Sequence, residues 1–142
     1  EAFELALAVA VLKFVAMRLL LSWMPLRIFL TPGIVKAERV RRRAIRYFKV
    51  GAERRTSGRT GVLIYLSMAE HRAEIVADEA IHSKVTPETW GEAMAKLVAE
   101  VREGRLADGM VAAIGDVGKV LSAHFPRASD DVNELPDRLI EL

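Results

Sequence analysis

The feature that most constrains the fold of this chain is the apolar run at its N-terminus. Residues 5–30 read LALAVAVLKFVAMRLLLSWMPLRIFL and contain three charged side chains, Lys13, Arg18 and Arg27. A helix of about 20 apolar residues spans a bilayer core, so the length is sufficient. A central Lys or Arg costs about 2.5–3.5 kcal/mol, whereas each Leu, Ile, Phe or Val returns only about 0.3–0.6 kcal/mol. The span is therefore marginal alone, and we expect it to tilt, to let Arg18 snorkel, or to set Lys13 against a neighbouring helix.

The end of this run also carries membrane signals. Trp23 suits an interfacial anchor, and Pro25 and Arg27 follow where a span should end. No basic leader precedes the run, which disfavours a secretory signal peptide. We therefore predict that residues 1–33 form an apolar membrane-associated helix or a partial span. The alternatives are a buried helix of a soluble protein and a segment that occupies the core of a second copy.

Charge is strongly segregated along the chain. Residues 36–59 contain ten basic and two acidic residues, a net charge of +8, whereas residues 60–142 have a net charge of −7. The sequence pI of 9.2 therefore reflects one basic stretch and not the whole molecule. The chain has no cysteine, which excludes a disulfide scaffold, a thiol nucleophile and a thiolate metal site.

The basic stretch has the pattern of an amphipathic helix. Pro32 and Gly51 bound residues 34–50, and apolar residues recur on one face at helical spacing. The other faces contain five cations, Arg39, Arg42, Arg43, Arg46 and Lys49, which we call the basic stripe. Beside a membrane segment such a stripe attracts anionic lipid and, by the positive-inside rule, indicates that the module lies on the cytoplasmic side. A merely solvated helix face ranks second, and nucleic-acid binding is disfavoured because no recognition fold or aromatic stacking platform accompanies the cations.

The remainder predicts a small α/β module. Residues 62–66 (VLIYL) form an apolar run of strand length, and residues 72–78 alternate, so we predict an antiparallel hairpin that turns at residues 69–71. Thr86 and Pro87 are typical of a helix start and Gly104 of its end. A second helix is predicted over residues 106–124, and Pro126 ends it. The residues of this second helix that we expect to be buried are Met110, Ile114, Val117 and Leu121.

These motifs resemble the TPM domain family. The run GRTGVLIYLSMAEHRAEIVADEAI is followed by an amphipathic helix and then by EGRLADGMVAAIGDVGKVL, so the resemblance covers about residues 44–121. The family includes thylakoid-lumen phosphatase and photosystem-repair proteins and a bacterial branch of predicted membrane proteins. It implies an α/β/α sandwich, in which relatives have an additional strand before the helix equivalent to residues 38–50. This chain has the apolar run there, so its sheet is either shortened or completed by another segment.

The resemblance also raises the question of a metal-dependent activity. Some relatives bind calcium or show phosphatase activity, and they commonly have an acidic residue just before the glycine equivalent to Gly61. This chain has Arg59 and Thr60 there, which removes a hard oxygen ligand for a cation. The remaining candidate ligands for calcium or magnesium are Asp78, Glu79 and Asp108. These residues are equally typical of a solvated loop and of a helix start, so we predict no resident cofactor.

Other kinds of catalytic site have no support in the sequence. The serines lie in no nucleophile elbow, and no phosphate-binding loop or dinucleotide fingerprint occurs. His71 and His82 are further candidate site residues, and His71 is predicted to be exposed in a turn and not catalytic. We therefore expect a membrane-associated binding or assembly module, with a divalent-metal-dependent phosphatase and a basic nucleic-acid-binding protein as the alternatives. The predicted domains are the apolar segment 1–33, the module 34–126 and an irregular tail 127–142. The predicted partners are anionic lipid, a membrane protein or a second copy.

Overall fold

The apolar N-terminal run is helical in the computed structural model, which describes residues 1–53, 55–135 and 138–142. Helix α1 (Ala2–Ser22) has no buried side chain. Extended backbone at Trp23 separates it from α2 (Met24–Leu30), which has a proline in its first turn. By length and composition alone, α1 is the one helix among the described residues that is long and apolar enough to cross a membrane.

Helix α3 (Gly33–Gly51) continues from the first compact unit of the chain, Glu1–Ala37, into the second, Glu38–Leu142. Its buried side chains are Val40, Ala44 and Phe48, which follow one another at intervals of four residues. This is the apolar face that the helical spacing predicted. The opposite face is exposed, so the helix is amphipathic in the second unit.

A two-stranded antiparallel hairpin forms the sheet of the second unit. Strands β1 (Val62–Ser67) and β2 (Arg72–Ala77) pair from Val62 opposite Ala77 to Ser67 opposite Arg72. The turn includes His71, which is exposed and has a left-handed φ of 46°. Among the described residues the sheet has no third strand, because the chain before α3 is helical.

Two helical layers enclose this hairpin, which gives the three layers of the predicted sandwich. On one face, Tyr47 of α3 stacks on Tyr65 of β1 with ring centroids 5.7 Å apart. On the other face, Ile64 and Ile75 pack against the buried clusters that include Trp90 and Leu97 of α5 (Pro87–Arg102). Alternate residues of a strand point to opposite faces, so β1 contributes side chains to both layers.

The two long C-terminal helices have the bounds that the caps predicted. Helix α6 (Leu106–His124) packs beside α5, and the short helix α4 (Glu79–His82) precedes α5. One prediction for α6 was wrong. Its buried residues are Gly109, Ala113 and Val117, whereas Ile114 is 56% exposed. The helix therefore packs through a face rotated away from Ile114.

The tail after α6 has neither helix nor strand in its described part, residues 125–135 and 138–142. The Phe125 ring packs against the buried cluster that includes Trp90, and Glu134 contacts the loop before β1. The Glu134 carboxylate accepts hydrogen bonds from the Ser57 backbone N–H (2.9 Å) and from the Ser57 hydroxyl (2.7 Å).

Candidate functional site

The basic stripe lies on the face of α3 that is opposite its buried face. A residue turns a helix by about 100°, so the stripe residues fall within about one third of the circumference. Arg42, Arg43, Arg46 and Lys49 are exposed, and Arg39 is half-buried. The sandwich thus buries one side of the helix and directs four cations toward solvent.

The cations of the stripe differ in their partners. Arg42 Nε is 2.8 Å from Glu38 Oε1, one turn earlier on the same helix, and both side chains are exposed. Such surface pairs contribute little energy and leave the cation available to solvent. Arg43, Arg46 and Lys49 form no ion pair within the described ranges. These three are therefore the least neutralised cations of the stripe.

Arg39 has a different environment from the other four. Its Nη1 lies 3.3 Å from Oε1 of Glu70, whose side chain is only 3% exposed. The second oxygen of Glu70 accepts a hydrogen bond of 2.7 Å from the Ser67 hydroxyl. The pair connects α3 to the end of β1 and to the hairpin turn. Glu70 therefore partly neutralises the charge of Arg39 within the module.

The sequence predicted neither Glu70 nor Ser67 as a structural site. Glu70 follows a strand and precedes a histidine with positive φ, so local sequence indicates an exposed turn. Its side chain is nevertheless only 3% exposed, and Arg39 of α3 lies against it. Long-range packing of this kind is invisible to periodicity.

A second ionisable group lies between α3 and the sheet. Burial raises the pKa of the Glu74 carboxyl above its ordinary value, and the nearby charges of Arg41 and Arg72 partly counteract the rise. Arg41 is exposed, and its charge is close enough to act on the Glu74 carboxyl.

The three candidate metal ligands occupy different settings. Asp78 is buried and caps α4, where its carboxylate accepts from the Glu79 backbone N–H at 3.3 Å. Glu79 is exposed and lies 3.4 Å from Arg59. Asp108 is exposed in the first turn of α6. Within the described residues, no three His, Asp or Glu side chains form a group that could hold a metal ion.

The loop before β1 explains why Arg59 meets Glu79. Arg59 has a left-handed φ of 51°, and the Asp78 N–H donates to the Gly61 carbonyl at 2.9 Å. A Cβ on Gly61 would lie 2.9 Å from the Ala52 carbonyl oxygen, so only glycine fits there without a shift. The resemblance to the TPM family implies a carboxylate at position 60. Thr60 stands there, next to Arg59, which pairs with the candidate ligand Glu79. His71 and His82, the remaining candidates, are both exposed.

Comparisons with known proteins agree with the three-layer architecture. The TPM domain family matches residues 25–120. The NMR structure of the BA42 protein from the psychrophilic bacteria Bizionia argentinensis sp. nov. is similar, with a TM-score of 0.59 and 29% sequence identity. The similarity covers 68% of this chain and 67% of BA42. No curated protein matches the chain.

Proposed function

Because the chain belongs to the TPM domain family, we propose that it is a membrane-anchored TPM module that acts by binding or assembly and not by catalysis. In this proposal α1 crosses the bilayer, and the basic stripe lies against the anionic lipid of the cytoplasmic leaflet. The observation that carries it is the combination of a fully unburied apolar helix with four outward cations on α3. Clusters of Lys and Arg that follow a membrane helix are attracted to anionic lipid at about 1 kcal/mol per residue.

The ion pairs of the module support a binding role over a metal-dependent phosphatase. Phosphoryl transfer needs concentrated positive charge at the transferring group, commonly from metal ions or Arg and Lys side chains. Asp78 serves as a helix cap and Glu79 pairs with Arg59, so both carboxylates already have structural roles. We therefore expect little stabilisation by millimolar calcium or magnesium. A large rise in melting temperature on adding either ion, abolished by Asp78→Asn, would show a metal site. Phosphatase turnover that the same variant abolishes would favour the phosphatase instead.

The lipid contact can be measured in the full chain, which has no native cysteine. Val50 is 69% exposed and lies on the same side of α3 as the basic stripe, so Val50→Cys places a thiol beside the cations. We expect nanodiscs with anionic lipid to slow aqueous alkylation of this thiol several-fold, and zwitterionic nanodiscs to leave the rate unchanged. High salt should restore fast alkylation, because ionic screening weakens surface attraction.

The decisive variant replaces the four outward cations by Gln: Arg42, Arg43, Arg46 and Lys49. It should remove up to about 4 kcal/mol of lipid attraction at low salt, at about 1 kcal/mol each, and abolish the protection of the thiol. The matched control removes four exposed cations outside α3, namely Lys84, Lys96, Arg102 and Arg127, for the same change in net charge. Equal loss of protection in both variants would show that net charge and not the stripe is responsible. If an oligonucleotide displaces the basic stripe from anionic nanodiscs but excess anionic vesicles do not, the result favours nucleic-acid binding.

A further inference from the structure

The side of α6 that faces away from the sandwich has an apolar surface that no described residue of the second unit covers. Val111 is 70% exposed and Ile114 is 56% exposed. The Ser122 hydroxyl donates to the Gly118 carbonyl at 2.7 Å, so it adds no unpaired polar group. We call this surface the outer face of α6, and its members are Ala107, Val111, Ile114, Gly115, Gly118 and Ser122.

Two glycines of the outer face, Gly115 and Gly118, make no close approach to the described residues of the module. At Gly109, on the packed side of α6, a Cβ would lie 2.8 Å from the Cβ of Glu100, so the close approach to α5 requires glycine. A Cβ on Gly115 or on Gly118 would meet nothing within 4 Å. Glycine in a helix interior is unfavourable compared with alanine. The internal packing of this unit therefore leaves Gly115 and Gly118 unexplained.

We propose that the outer face pairs with the same face of a second copy in an antiparallel arrangement. The intervals between its six residues are four, three, one, three and four, so the pattern is unchanged on reversal about the point between Ile114 and Gly115. Reversal sets Ile114 of one copy opposite Gly115 of the other, and Val111 opposite Gly118. Each branched side chain thus meets the open space above a glycine, which is the complementarity that close helix packing needs.

The charges beside the outer face favour the same orientation. Asp108 and Lys119 are eleven residues apart, about three turns, so they lie on the same edge of the helix. Lys119 is 82% exposed and lies 3.4 Å from its intrahelical partner Asp116. An antiparallel second copy brings its Lys119 to the end and edge where Asp108 lies. A parallel copy would instead bring the two Asp108 residues to the same end, so opposite charges meet only in the antiparallel pair.

Single-cysteine cross-linking of the full chain in nanodiscs tests this pairing directly. Ile114→Cys lies next to the twofold point, so mild oxidation should produce a covalent dimer at least tenfold faster than it does for Ala112→Cys. Ala112 is an exposed residue of the same helix outside the outer face and is therefore the matched control. Gly115→Cys, whose Cβ would contact nothing within the module, serves as a second variant if Ile114→Cys alters the circular dichroism spectrum.

Orientation is tested by mixing two differently tagged variants. Val111→Cys and Gly118→Cys should cross-link to each other faster than either does to itself, and Ile114→Glu should suppress this cross-link. Faster Val111 self-cross-linking would establish a parallel pair and overturn the proposal. Equal rates for Ile114→Cys and Ala112→Cys would overturn it too. Slow alkylation of Ile114→Cys without a cross-link would mean that lipid or a different protein covers the face, and this result also contradicts a second copy as the occupant.

Discussion

Replacing Arg39 should affect the stability of the module more than its membrane contact. Arg39→Gln leaves the carboxylate of Glu70, which is 3% exposed, with the Ser67 hydroxyl as its one remaining donor among the described residues. Removing one partner of a buried polar group costs about 1–3 kcal/mol. The Arg39–Glu70 distance is 3.3 Å and the Arg39 side chain is 40% exposed, so we expect the lower end, about 1 kcal/mol. For a unit of this size that loss lowers the melting temperature by about 4–8 °C.

The assay uses the fluorescence of Trp90, which is 4% exposed in the core. The chain has a second tryptophan, so Trp23→Phe provides a background in which only Trp90 reports. The matched control is Arg43→Gln, an exposed stripe residue, which should change stability by less than about 0.5 kcal/mol. The double variant Arg39→Gln with Glu70→Gln should recover much of the loss, because both charges are then removed. If Arg39→Gln and Arg43→Gln have the same melting temperature and weaken lipid protection equally, the Arg39–Glu70 ion pair has no structural role and our reasoning is wrong.

Two further predictions concern the packing of the layers. Gly109→Ala should lower the melting temperature, because the added Cβ would lie 2.8 Å from Glu100 Cβ. Gly115→Ala, at low protein concentration, should instead raise stability by up to about 1 kcal/mol, because its Cβ would meet nothing within 4 Å among the described residues. Shifts of the same sign in the two variants would contradict the assigned packing of α6. Glu74→Gln should raise the melting temperature at pH 7, because burial raises the pKa of this carboxyl and makes its charged form unfavourable in the folded state. The cost of the charged Glu74 carboxyl declines as the pH falls through its raised pKa and is absent below the unfolded-state pKa of about 4.3. The melting temperatures of the wild type and of Glu74→Gln should therefore converge in acid. A constant difference across pH would show that ionisation of Glu74 is irrelevant.

Local signals in the sequence were sufficient for the four long helices, α1, α3, α5 and α6, and for the hairpin. Thr86 and Pro87 set the start of α5, and the VLIYL run became β1 with the predicted antiparallel partner. These features depend on residues that are close in the chain, through backbone restriction at proline and through periodicity. The same signals placed the apolar face of α3 correctly.

Features that depend on distant contacts were not predictable. Helix α6 has apolar residues on two faces, and periodicity cannot tell which one packs; the close approach at Gly109 decides it and leaves Ile114 outside. Helix α4, which Asp78 caps, was missed for a local reason, because it is too short to have a periodic signal, and a metal-ligand role for Asp78 stays a prediction. Glu70 pairs with Arg39, which lies about thirty residues earlier in the chain.

The energetics of the basic stripe connect the fold to the proposed lipid contact. Its five cations form five like-charge pairs at spacings of three or four residues, and each such pair destabilises a helix by about 0.2–0.5 kcal/mol. The repulsion is about 1–2.5 kcal/mol in total, and the burial of Val40 and Phe48 offsets it, since burying such side chains contributes about 1.5–3 kcal/mol each. An anionic surface at the stripe would relieve this repulsion without changing the packed face of α3. Anionic nanodiscs should therefore raise the melting temperature of the wild-type module but not that of the variant with Gln at the four outward positions. A rise of equal size in both would show that relief of the repulsion on α3 does not cause the stabilisation by lipid.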